Sequence, residues 1–128
     1  MSHHEDRAKL AKEFGATDIV AECGDDAVKK VMELTDSNGV DAVLECVGAV
    51  SAIEQADQLA RPGAIVGRVG VHQTEPSSNK LFWKNIGLRG GIASVTIYGR
   101  QVLLDAVLKG EIHPGHVFTK RFNLDEIQ

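Results

Sequence analysis

The stretch Val40–Ala56, VDAVLECVGAVSAIEQA, changes character at Gly48. Before it, AVLECVG (42–48) is apolar almost throughout, with Glu45 the one acid in the run. Such runs suit a strand covered on both faces, as in a parallel sheet, better than a half-exposed one. After it, Ile53, Ala56, Leu59 and Ala60 recur at helical spacing, and Ser51 with Glu54 has the form of a capping box. A strand that stops at a glycine where a helix starts at once is half of a βαβ unit.

Downstream the alternation continues. Arg61–Gly63 turns the chain into a second interior strand, AIVGRVGV (64–71). The loop TEPSSN (74–79) follows, then a helical turn over Leu81–Lys84, then an outermost strand over Asn85–Ile92. Tyr98–Lys109 reads as a helix stopped by Gly110, with Pro114 beyond it. The closing FNLDEIQ announces another helix, with Asn123 as N-cap and Glu126 at the capping-box position.

Upstream, Asp36–Gly39 is turn chemistry. Asp25 and Asp26 can cap a helix whose apolar face is Val28, Val31, Met32 and Leu34. Thr17–Ala21 is a short strand candidate, and Glu5–Phe14 a helix with Leu10, Ala11 and Phe14 on one face and Gly15 as its stop. Strands alternating with helices imply right-handed βαβ units and an α/β fold with a parallel sheet.

Composition narrows the function. The 128 residues are 43% hydrophobic and 25% charged with a formal net charge of −4, an ordinary globule long enough to bury a core. A mildly acidic chain without a basic stripe is not a nucleic-acid binder. No apolar run is long enough to span a membrane, and MSHHEDR at the start has no secretory character. Cys23 and Cys46 match no C-x-x-C spacing and read as reduced, buried or half-buried thiols of a cytoplasmic protein.

In open α/β sheets, ligands bind beyond the carboxyl ends of the strands. That picks out Cys46-Val47-Gly48, Val69-Gly70-Val71 and Gly90-Gly91-Ile92. Each pairs a strand end with a glycine, which either admits a ligand close to the backbone or only makes a tight turn. No G-x-G-x-x-G or G-x-x-x-x-G-K is present, so no complete phosphate cradle is encoded. The His groupings His3-His4 and His113 with His116 lack the spacing and partners of a tetrahedral metal site. Glu45 reads first as an acid at a strand end, bonded to a neighbouring loop, and only second as catalytic.

Five blocks together carry a resemblance: HEDRAKLAKEFGATDIV, GVDAVLECVG, ARPGAIVGRVGV, LFWKNIGLRGGIASV and IHPGHVFTKRFNLDEI. In that order and spacing the chain resembles the coenzyme-binding half of medium-chain, zinc-type alcohol dehydrogenases over essentially its whole length. The resemblance implies a Rossmann-like parallel sheet with flanking helices that lacks the first βαβ unit. It makes residues 1–128 a partial NAD(P)-binding domain, with a catalytic domain holding the zinc and the Gly-rich fingerprint both upstream. Val69, Gly70 and Val71, with Gly91, Ile92 and Ala93, match the stretches that hold the nicotinamide end. Cys46, Val47 and Gly48 match the wall near adenine and ribose. Ser2 falls about where NAD-preferring members carry a ribose-binding acid; with His3, His4 and Arg7 after it, NADP is slightly favoured over NAD. No catalytic residue carries over.

The implied parent oxidises alcohols, or reduces aldehydes and ketones, by hydride transfer to or from the coenzyme. The alternatives are an inactive binding or assembly module and a zinc-free member of quinone-reductase type. Three expectations follow. The chain alone is inactive, holds no zinc and binds nucleotide weakly. Thr17–Ala21, deprived of its usual neighbours, pairs beside Ala42–Val47 or with another chain. A homodimer forms through the edge strand Asn85–Val95.

Overall fold

The computed structural model describes residues 4–71, 73, 78–92, 96–118 and 120–126. They fall into two compact units, one between residues 18 and 92, the other of residues 4–17 with those from 96 on.

The first unit is α/β. Its elements are α1 (Gly24–Leu34), β1 (Val40–Glu45), α2 (Val50–Leu59), β2 (Ala60–Arg68), α3 (Ser78–Trp83) and β3 (Gly87–Gly90). The strands form a parallel sheet in the order β1-β2-β3. The ladder aligns Val43, Val66 and Leu88 in one row and Glu45, Arg68 and Gly90 in another. Side chains alternate along a strand, so these rows share a face.

Helix α2 covers that face. Ile53 and Ala56 of α2 are buried with Ala60, Ala64 and Val66 of β2, and Leu81 and Ile86 close the core. Lys84 sends its Nζ to the carbonyl oxygens of Asp57, Gln58 and Ala60 at 3.2, 3.4 and 3.4 Å, capping the C-terminal end of α2 with a cation. The opposite face carries Ala42, Leu44, Ile65, Gly87 and Arg89, all exposed; Leu44 is 78% exposed. The expected two-sided cover of β1 is therefore not met, because no element of this unit packs on that side. Its outer edge is likewise bare.

The second unit holds α4 (Glu5–Glu13) and α5 (Ile97–Leu108), with short 3-10 turns over Pro114–Val117 and Leu124–Glu126. Gly15 and Gly110 stop the two helices as expected, at φ +96° and +72°. Their N–H groups bond to Lys12 and Val107, and those of Ala16 and Glu111 to Ala11 and Ala106, the paired bonds of a Schellman motif.

Several boundaries differ from the sequence reading. Thr17–Ala21 forms no strand and does not join β1. With Ile19 38% exposed, this short segment buries too little to offset the ordering of a ladder. Helix α2 starts at Val50 with Ala49 as N-cap and no side-chain cap bond, so the Ser51/Glu54 box is not made. Helix α1 is N-capped by Cys23; Asp25 and Asp26 lie in its first turn, where their negative charge complements the positive end of the helix dipole. Strand β2 begins at Ala60 and absorbs Pro62 and Gly63 in a register shift instead of a turn. Strand β3 is shorter than Asn85–Ile92, and α3 takes in Ser78 and Asn79, expected as loop. At the C-terminal end only half of the expected box forms: Glu126 Oε2 accepts from the N–H of Asn123 at 3.0 Å, over a 3-10 turn instead of an α-helix.

Candidate functional site

A parallel ladder brings the carboxyl ends of all three strands to one edge of the sheet, and hydrogen bonds tie those ends together. The N–H groups of Val69 and Gly70 donate to the carbonyl oxygen of Glu45 at 2.8 and 3.2 Å. That of Gly91 donates to Arg68 at 3.2 Å, and that of Gln73 to Gly48 at 3.0 Å. Cys46-Val47-Gly48, Val69-Gly70-Val71 and Gly91-Ile92 are thus assembled at one place. Ala93, Ser2 and His3 lie outside the described residues. Arg7 is on α4, exposed, in the other unit.

The glycines of the first two turns answer the question of admission against packing. A Cβ at Gly48 would lie 2.1 Å from the carbonyl oxygen of Val71, and one at Gly70 would lie 2.3 Å from the nitrogen of Gly48. Here backbone meets backbone, and the glycines serve that approach. Gly91 differs: at φ +133° a Cβ there would meet nothing within 4 Å, so its exposed side is open. Around these turns Val47, Val69, Val71 and Ile92 are 70%, 57%, 90% and 95% exposed. The edge offers exposed apolar side chains beside backbone polar groups.

Beneath the edge lies a buried polar layer. Glu45 Oε1 accepts from the N–H groups of Val47 and Gly48, both at 2.7 Å, which is the loop-bonded role expected of this acid. Its Oε2 is buried without a hydrogen-bond partner, as is Nε of Arg68, the next residue along the same row. Arg68 Nη2 donates to Asp57 Oδ1 at 3.3 Å. This pair escaped the sequence reading although the pattern was present: Asp57 follows Ile53 by one helical turn, and Arg68 alternates with Ala64 and Val66.

Cys23 and Cys46 are exposed, contrary to the buried expectation, because they stand at a helix start and in a strand-end turn. Among the described residues no three of His, Cys, Asp and Glu converge, so these residues do not fit a zinc centre. His113 and His116 stack with ring centroids 5.7 Å apart. A groove of about 380 Å³ between α2 and α3, lined by Glu54, Lys80 and Trp83 among others, lies apart from the strand ends and shares no residue with them.

The family model of the zinc-binding dehydrogenases matches residues 1–108. The chain belongs to the zinc-binding dehydrogenases. Its fold is the Rossmann-like one of alcohol dehydrogenases of known structure. It superposes on the zinc-dependent alcohol dehydrogenase 2 of Streptococcus pneumonia with a TM-score of 0.74 at 30% identity, over 88% of this chain and 33% of that one. On the alcohol dehydrogenase TADH from Thermus sp. ATN1 the TM-score is 0.75 at 28% identity, over 93% and 36%. In sequence it is 37% identical over 93 residues to the L-threonine 3-dehydrogenase of Pyrococcus horikoshii, covering 73% of this chain and 25% of that protein. To the NADP-dependent isopropanol dehydrogenase of Clostridium beijerinckii it is 34% identical over 91 residues, 71% of this chain and 25% of that one. As a zinc-binding dehydrogenase it belongs to a family of oxidoreductases, and it is that family which implies a nicotinamide dinucleotide as ligand. No helix among the described residues is long and apolar enough to cross a membrane.

Proposed function

We propose that this chain supplies the strand-end wall of the NAD(P) site in a dehydrogenase that interconverts alcohols with aldehydes or ketones. The observation that carries the reading is the gathering of Val47-Gly48, Val69-Gly70-Val71 and Gly91-Ile92, three separate stretches, on the carboxyl edge of one parallel sheet. The cofactor carries the hydride; the chain's part is to orient it. Val69, Gly70, Val71, Gly91, Ile92 and Ala93 take the nicotinamide end, and Cys46, Val47 and Gly48 the adenosine end. Ser2, His3 and Arg7 lean the choice toward NADP, since an uncharged residue with basic neighbours accepts a 2′-phosphate.

Because the chain spans about a quarter of the curated relatives it matches, the activity of the whole protein is part of this proposal. Zinc ligands and the proton relay are assigned to a preceding domain, as the family resemblance implies, in a cytoplasmic, homodimeric parent. The lack of a metal-ligating cluster among the described residues also favours a second reading, in which the chain by itself is a binding module without turnover.

Titration of the isotope-labelled chain with NADP and with NAD tests the proposal. The amides of Gly48, Gly70 and Gly91 should shift, NADP should bind better, and the dissociation constant should be weaker than about 1 μM because no pyrophosphate cradle is present. Shifts confined to other parts of the chain would reject the wall, and equal or better binding of NAD would remove the role given to Ser2 and Arg7.

A further inference from the structure

We propose that Glu45 is the positioning residue of the strand-end wall: its carboxylate and its own carbonyl hold both turns on which the coenzyme rests. The inference builds on the coenzyme reading above. Four N–H groups from two turns converge on this one residue. Those of Val47 and Gly48 reach Oε1 at 2.7 Å each, and those of Val69 and Gly70 reach the main-chain oxygen at 2.8 and 3.2 Å.

The chemistry favours a carboxylate here. Bonds from N–H to an ionised acceptor are shorter and stronger than neutral ones. Gly48 stands at φ +83° with no side chain of its own to fix its peptide plane, so the bond from its N–H sets where that plane points. An acid serving only to fill space at 4% exposure would be a poor choice, since burying a charge is costly. Here Arg68 occupies the neighbouring ladder position on the same face, already paired with Asp57, and places positive charge across from Glu45. Val47, Val69 and Val71 ride on the two turns, so fixing the turns fixes the apolar side chains that line the wall.

The test is amide exchange and NADP titration on the full chain, comparing wild type with Glu45→Ala, Glu45→Gln and, as a packing control in α2, Ile53→Val. In Glu45→Ala the Val47 and Gly48 amides should exchange about tenfold faster or more relative to the Val66 amide, the size expected for a lost charge-assisted hydrogen bond. NADP binding should weaken with them. Glu45→Gln should restore both readouts in part, because its side-chain oxygen can accept the same bonds without the charge that strengthens them. Unchanged exchange in Glu45→Ala would overturn the proposal, and so would an Ile53→Val control that moves the two amides and NADP binding equally. If Glu45→Ala does not fold, Glu45→Asp replaces it: one methylene short, it should lose the protection that Glu45→Gln keeps, and equal protection in both would overturn the claim. If NADP moves neither Gly48 nor Gly70 in wild type, the coenzyme reading falls, and the exchange data alone decide whether Glu45 holds the turns.

Discussion

Arg68 of β2 and Asp57 of α2 meet in an ion pair at 3.3 Å, each side chain only 8% exposed, as buried as Leu81 and Ile86 of the core. The pair stitches the helix to the central strand directly beneath the strand-end edge. Removing one partner strands the other charge in the interior, which typically costs about 3–5 kcal/mol. Asp57→Ala should therefore lower stability by an amount of that order in urea titration. The double variant Asp57→Leu/Arg68→Met should recover part of the loss, since an apolar pair carries no desolvation penalty while Glu45 loses the positive charge across from it. A double variant no more stable than the single one would show that the pair itself is needed.

Gly48 and Gly15 both sit at positive φ, +83° and +96°, yet their surroundings differ. Gly15 has nothing within 4 Å of a built Cβ, whereas Gly48 faces the Val71 carbonyl oxygen at 2.1 Å. Gly15→Ala should cost only the left-handed conformational term, about 1–2 kcal/mol. Gly48→Ala adds a backbone clash that no side-chain rotation relieves, and should destabilise the chain clearly more in thermal unfolding. Equal melting temperatures for the two variants would mean that the strand-end turns do not touch as described.

Strand β3 is an edge, and its exposed residues Gly87–Gly90 carry one charge, Arg89, and no proline. The N–H of Gly91 points to β2, so by alternation those of Leu88 and Gly90 face away from it. An edge so lightly guarded invites a second copy across a two-fold axis. Sedimentation at tens of micromolar should show a dimer, and Leu88→Pro should weaken it by deleting an outward N–H. A clean monomer, or a dimer indifferent to Leu88→Pro, would reject this interface. Residues 93–95 of the expected interface lie outside the described residues.

The chain by itself should neither turn over an alcohol with NAD or NADP nor retain zinc. The proposed coenzyme wall would only orient the cofactor, and among the described residues no cluster of His, Cys, Asp and Glu could hold a metal. Elemental analysis after dialysis, together with absorbance at the reduced-nicotinamide band, checks both. One tightly held zinc per chain, or measurable turnover, would overturn the assignment of the chemistry to another domain.

What the sequence settled by itself was local. The apolar run before Gly48, the helical spacing of Ile53 and Ala56, and the stops at Gly15 and Gly110 are written in short-range patterns, because φ/ψ limits and side-chain periodicity act within a few residues. The order of such pieces was enough to give a parallel α/β fold and, from it, the strand-end edge at which the coenzyme site is proposed. Tertiary structure decided the rest, since it depends on what lies across space. Ala49, not Ser51, caps the start of α2, because packing of Ala56 with Ala64 and Val66 of β2 fixes the helix more firmly than a cap does. Thr17–Ala21 has strand-like residues but no ladder, because a strand exists only when a neighbour supplies its bonds. Glu45, Arg68 and Asp57 looked like scattered charges along the chain; only the register of β1 on β2, with α2 laid over them, makes one buried layer of the three.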